Sequence, residues 1–240
     1  MIMLLLPTLL LCALAAPPAN DLTLWYTRPA SEWNEALSVG NGRLGATVFG
    51  GVGEDCIQIN EETIHQPLAD LLLTFGHTGG ISDYARSLDP ARRSATVSYK
   101  CGNAVYTREI FSASADGVVV VRLETDSRGA LSFEAALASP HMHSVDCPRS
   151  NHLILQGEMD EPGLRFETWL VVLAEGGTVK SGGGKVSVDC GDAATLIIAA
   201  GIGGDPALIC RKTTGSAVRK TYRQLLDAHL RNPVSLIEPD

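Results

Sequence analysis

The sequence predicts an all-β domain with one helix near its C-terminus. Three observations carry that prediction. Polar and apolar residues alternate with a period of two in at least five separate runs. Gly, Asn and Asp fall between those runs, where turns are expected. Two further runs, Val118–Val121 and Leu196–Ala200, are continuously apolar and fit strands buried on both faces.

Taken in order, the chain opens with MIMLLLPTLLLCALAAPPAN, an uncharged apolar run that is short for a membrane span but suited to a signal peptide. Ala13-Leu14-Ala15 is an A-x-A cleavage pattern, so residues 1–16 are expected to be a signal peptide of a secreted protein. Cleavage would leave Cys56, Cys101, Cys147, Cys190 and Cys210, an odd count with no C-x-x-C pair.

From residue 20 to residue 210 the pattern is strand after strand. Alternation marks Cys56–Asn60, Thr96–Tyr99, Val105–Phe111, Leu131–Ala135 and Arg165–Val172. Lys100-Cys101-Gly102-Asn103 reads as a hairpin turn, and Gly182-Gly183-Gly184 as a joint between strands. The pattern then changes. Val218, Tyr222, Leu225, Leu226 and His229 recur at helical spacing, Ser216 is a candidate N-cap, and Pro233 a stop. Residues 215–240 are therefore read as a linker helix and tail, with an apolar face that has little helical material to pack against.

Several function classes are excluded or weakened. A formal net charge of −8 with scattered basic residues argues against nucleic acid. Gly40-Asn41-Gly42-Arg43-Leu44-Gly45-Ala46 matches G-x-G-x-x-G/A, the dinucleotide fingerprint. That fingerprint needs a buried strand before it and a helix at its third glycine. Here a polar SEWNEAL precedes it, and Gly50, Gly51 and Gly53 follow. The glycines are read as turns and close strand crossings, and no cofactor is expected. His141-Met142-His143 places two imidazoles on one strand face without a third ligand nearby, so a surface or packed pair is favoured over a metal site. Glu158, Asp160 and Glu161 beside Pro162-Gly163 read as a solvated turn, and Trp25, Trp33 and Trp169 as core residues rather than sugar platforms.

The segments Leu24-Trp25-Tyr26, Pro29-Ala30, WNEALSVGNGRLGATVFGG and IQINEET, continued by QPLADLLLTFGHTGGISDYARSLDPARRSATVSYKCGNAVYTREIFSASADGVVVVRLETD, resemble the N-terminal domain of glycoside hydrolase family 95. The resemblance covers about Leu22 to Leu230. It implies a large antiparallel two-sheet β-supersandwich in an α-L-fucosidase-like enzyme acting on fucosylated or related glycans. It also implies that catalysis belongs to an (α/α)6 barrel beyond this chain, so no catalytic residue can be carried over. Two departures stand out. After Asn60-Glu61-Glu62-Thr63 the family continues into a long helical excursion, whereas this chain runs through Ile64-His65 into Gln66-Pro67-Leu68, as if a segment were missing. SLIEPD, at the end, does not resemble the barrel's entrance.

The resemblance points to Arg43, Asn60 and Glu61 as residues near the rim of the substrate site. Two other readings stay open: a glycan- or protein-binding β-sandwich module without hydrolase activity, and a gene-model fragment.

Overall fold

The computed structural model describes residues 22–232 except 62, 63, 65, 161 and 162. The signal-peptide segment, the C-terminal tail and the Glu61–Thr63 departure point beyond Glu61 itself therefore lie wholly or largely outside the described residues.

Sixteen strands run through the described part of the chain. They begin with β1 (Leu24–Tyr26), β2 (Leu37–Gly40), β3 (Leu44–Val48), β4 (Glu54–Glu61), β5 (Pro67–Phe75) and β6 (Ile81–Asp89). Next come β7 (Ser94–Cys101), β8 (Ala104–Ala113), β9 (Val118–Thr125), β10 (Leu131–Ala138), β11 (Met142–Arg149) and β12 (His152–Glu158). The last four are β13 (Arg165–Glu175), β14 (Thr178–Gly182), β15 (Lys185–Gly191) and β16 (Ala193–Ile202). They form a nine-stranded sheet, ordered β1-β6-β7-β8-β9-β16-β13-β12-β11, and a seven-stranded sheet, ordered β14-β15-β10-β5-β4-β3-β2. Neighbouring strands are antiparallel, as in β13 against β16, where Phe166 faces Ile202 and Glu175 faces Ala193. The all-β two-sheet prediction is met.

Alternation explains the layering. Ile57 and Ile59 of β4, Leu71 and Leu73 of β5, Val186 and Val188 of β15, and Leu153 and Leu155 of β12 all point into one core between the sheets. The Gly102-Asn103 hairpin is present, with Gly102 at φ +59.

The two continuously apolar runs sit side by side as β9 and β16 in the middle of the large sheet. Val119, Val121, Leu196 and Ile198 face the sandwich core, while Val118, Val120, Ile197 and Ala199 face outward into a second apolar cluster. What covers that outer face is helical. It is also where the sequence reading needs correction: the described residues hold two α-helices, α1 (Pro206–Ala217) and α2 (Tyr222–Arg231), rather than one. Ser216 lies inside α1, and the N-cap of α2 is Thr221, which forms a reciprocal capping box with Gln224. Cys210 and Ala217 of α1 and Leu225 of α2 complete the second cluster with Phe111 and Ala113. The apolar helix face is thus not left unpartnered, because the sheet supplies its packing surface.

Side-chain bonds fasten this helical pair. The Tyr222 hydroxyl donates to Glu109, and Arg93 donates to the His229 carbonyl. The His229 ring lies 4.8 Å from that of Phe111, and its Nε2 lies 2.9 Å from the Arg92 carbonyl. Lys220 Nζ meets Asp116 at 2.5 Å. Neither helix is long and apolar enough to cross a membrane.

Candidate functional site

The fingerprint-like stretch folds as a hairpin. Gly40 ends β2, Leu44 begins β3, and the Asn41 carboxamide oxygen accepts from the backbone N–H groups of Arg43 (3.0 Å) and Leu44 (2.9 Å). Gly42 takes φ +83, a conformation that favours glycine. Strand, not helix, follows the third glycine, as the sequence reading expected.

A groove of about 690 Å³ opens on the outer face of the seven-stranded sheet beside this hairpin. Ser38, Thr47, Gln58 and Asn60 reach it because they alternate with the core residues Val39, Ala46, Val48, Ile57 and Ile59. Register puts Asn60 opposite Gly45 and Gln58 opposite Thr47. The Asn60 amide donates to the Thr47 hydroxyl at 3.1 Å. Trp33, on a short 3-10 turn over Trp33–Glu35, stands at the wall with its indole N–H on Gln58 Oε1 at 3.2 Å. It is 64% exposed, so the expectation that it packs in the core fails. The turn that carries it precedes β2 and lies above the sheet instead of within it.

The three rim residues do not converge. Asn60 and Glu61 line the groove, Asn60 half-buried and Glu61 only 4% exposed. Arg43 lies at the other side of its hairpin. Its guanidinium donates to the carbonyls of Gly117 (2.8 Å) and Ala200 (3.2 Å), tying the small sheet to β16 and the β8–β9 turn. Next to the groove, Asp70 of β5 faces Gln58 across the ladder. Burial raises the Asp70 carboxyl above its ordinary value, against hydrogen bonds with Gln58 and Cys56. Burial, with Asp70 and Asp55 nearby, pushes the Cys56 thiol up to about 12.

The other candidates resolve into packing. His141 is buried, edge-on to Phe166 at 5.8 Å, with Nε2 3.2 Å from the Pro67 carbonyl. His143 is exposed, its Nδ1 2.7 Å from the His141 carbonyl. No group of three His, Cys, Asp or Glu among the described residues is arranged to hold a metal ion. Trp169 is half-buried, packs against the second apolar cluster and donates to Glu167 at 2.6 Å. The five described cysteines are all free thiols.

The family model described as "Glycosyl hydrolase family 65, N-terminal domain" matches residues 24–65 and 63–203, most of the chain. The chain belongs to this family.

The family domain is similar to Alpha-L-fucosidase 2 of Arabidopsis thaliana, 27% identical over 297 residues, covering 88% of this chain and 35% of that enzyme. It is also similar to Probable alpha-fucosidase A of Aspergillus oryzae, 22% identical over 88% of this chain and 40% of that protein. A solved structure, "Putative kojibiose phosphorylase from human microbiome", shares the fold, with TM-score 0.54 and 10% identity over 81% of this chain and 34% of the other. The resemblance to the N-terminal domain of a fucosidase-like glycoside hydrolase therefore holds. The family domain spans little more than a third of the curated relatives it matches.

The two stretches of the family match meet at residues 63–65, where the sequence suggested a missing segment. The plant alignment runs over 297 residues while taking in only 88% of a 240-residue chain, so it contains enzyme positions with no counterpart here.

Proposed function

We propose that this chain is the non-catalytic N-terminal β-sandwich of a secreted, α-L-fucosidase-like glycoside hydrolase. On this reading, fucosylated glycans are cleaved by a helical catalytic domain outside the chain, and the sandwich supports that domain. One observation carries the proposal: among the described residues, the sugar-sized groove at Trp33 is lined by a single carboxylate, the buried Glu61. Glycosidic hydrolysis needs two carboxyl groups roughly 5–10 Å apart across an open cleft. Several carboxylates near other clefts have structural partners. Asp55 binds Arg108, Glu167 holds the Trp169 indole, and Asp205 caps α1 through the Leu208 N–H.

The expected result is that the purified chain releases no 4-nitrophenol from 4-nitrophenyl α-L-fucoside above the buffer rate. Saturable turnover would overturn the proposal.

A second reading is favoured by a specific observation. Trp33 exposes its indole beside Gln58, Asn60 and Ser38, uncharged groups that suit the hydroxyls of a neutral sugar. On that reading the sandwich binds glycan without turnover. A fucosylated oligosaccharide would then shift tryptophan fluorescence saturably, and Trp33→Ala would abolish the shift.

A further inference from the structure

Basic residues are scattered along the sequence, but the folded chain gathers a group of them on its helical layer. Residues 206–232 hold six Lys and Arg against a single Asp, while the whole chain has 19 Lys and Arg against 27 Asp and Glu. Lys220 is taken by Asp116. The other five, Arg211, Lys212, Arg219, Arg223 and Arg231, are exposed, and among the described residues none forms an ion pair.

Helix phase places them. α1 buries Cys210, Thr214 and Ala217, and at about 100° per residue this turns Lys212 to the outward side. Val218 keeps helical backbone, so Arg219 stands about two turns further along that same side. α2 buries Leu225 and His229, which turns Arg223 outward, across the helix from Leu225. Arg211 is on the flank of α1, where it and Arg149 line a cavity of about 630 Å³ against the outer faces of β12 and β13. α1 packs on β16 and β13 and α2 on β8, so both helices lie on one face of the large sheet and share an outer surface. A cationic strip therefore runs along α1, through the joint and onto α2.

The chemistry of the strip narrows its partner. Four of the five cations are arginines, whose planar guanidinium groups pair with oxoanions through two parallel hydrogen bonds. Apolar anchors are few. Leu208 and Leu230 are the large hydrophobics exposed on the two helices, because the apolar sides of both are turned to the sheet. A folded protein partner needs an apolar or aromatic centre, and a bilayer needs apolar side chains to take up. Away from the strip the chain is acidic and repels any broad anionic surface, bilayer or nucleic-acid duplex alike. A thin polyanion can follow the strip and avoid the rest. Cations set this closely match the anions of a sulfated sugar chain, which are denser than those of a uronate chain.

We propose that the helical layer is a docking surface for a linear sulfated polysaccharide, whose sulfates meet Arg211, Lys212, Arg219 and Arg223. Arg231 extends the surface along α2. This inference stands on the helical layer alone and does not depend on the hydrolase reading.

The test is isothermal titration calorimetry of the full chain with heparin as the sulfated probe. Hyaluronate, polyglutamate, phosphatidylserine vesicles and a short DNA duplex are titrated alongside. Heparin should saturate and bind tighter than each of the others by about tenfold or more. Raising salt from about 50 to about 200 mM should weaken heparin binding by about tenfold or more, because several counterions are released on binding. Lys212→Glu and Arg223→Glu should each weaken it by about tenfold with the melting temperature unchanged. Arg128→Glu makes the same charge change on an exposed residue of the β9–β10 turn and should leave binding unchanged. The proposal is overturned if heparin does not saturate, or if any other probe binds as tightly. Lys212 and Arg223 variants that bind like the parent would overturn it, as would an equal loss in Arg128→Glu.

Discussion

Arg108 and Asp55 form the most enclosed ion pair of the sandwich, with side chains 3% and 0% exposed. Arg108 also donates to the Gly51 carbonyl, and the Gly51 N–H donates to Asp55 at 2.8 Å. Burial raises the Asp55 carboxyl, opposed by Arg108 and three backbone N–H groups. Removing one partner leaves a buried charge uncompensated, so Arg108→Ala should lower stability by about 3–5 kcal/mol in urea unfolding. Two titrations bear on α2. Burial holds His229 below its ordinary 6.5, with help from Arg93 and against bonds to backbone carbonyls such as that of Arg92. Burial works against ionised Glu109, but bonds from Tyr222, Arg92 and Ser94 win and hold its pKa below 4.5. Both folded values are depressed, so each group stabilises the fold above its unfolded pKa and loses that contribution as pH falls. Hydrogen-exchange protection factors at residues 222–231 should therefore fall in two steps, first below about pH 6.5 and again below about pH 4.5. His229→Phe should remove the first step and keep the second. Arg43 and Asn60 show what the sequence held at this scale. Alternation along β4 placed Asn60 on an outer face, but nothing local told that Arg43 would reach a carbonyl 157 residues away.

At the scale of elements, strands were legible wherever one face is wet, because burial on one side imposes a period of two. β9 and β16 were legible for the opposite reason, being apolar throughout. Helix α1 was not, since PALICRKTTGSA has weak amphipathicity and two threonines with a glycine in its last turns. Its start signal was nevertheless present. Asp205 accepts from the Leu208 N–H, and Pro206 occupies the first turn, where its missing N–H costs nothing. Trp33 was misread because an aromatic beside strand-like sequence suggests core, while the short turn that carries it left no periodic trace. Gly51 shows how tightly the β3–β4 connection is drawn. A Cβ there would lie 1.8 Å from the Glu54 carbonyl oxygen. Gly51→Ala should cost at least about 2 kcal/mol, seen as a lower melting temperature. Leu225→Ala would open a cavity between α2 and the large sheet, costing about 2–5 kcal/mol by the same measurement.

For the whole molecule, the helical pair and both sheets form one body, joined by Arg43 between the sheets and by Glu109, Asp116 and His229 beneath the helices. The two grooves lie on outer faces of different sheets and differ in chemistry: one has the buried Glu61 among mostly uncharged groups around Trp33, the other is lined by two arginines. Among the described residues neither groove is lined by an open pair of carboxylates, in keeping with the non-catalytic role proposed above. The most direct test is a proton NMR time course of the full chain with 2′-fucosyllactose. The account predicts intact trisaccharide throughout, with no anomeric signals of free fucose above those of a protein-free control. Free fucose that accumulates with time, and stops when the chain is denatured, would contradict it.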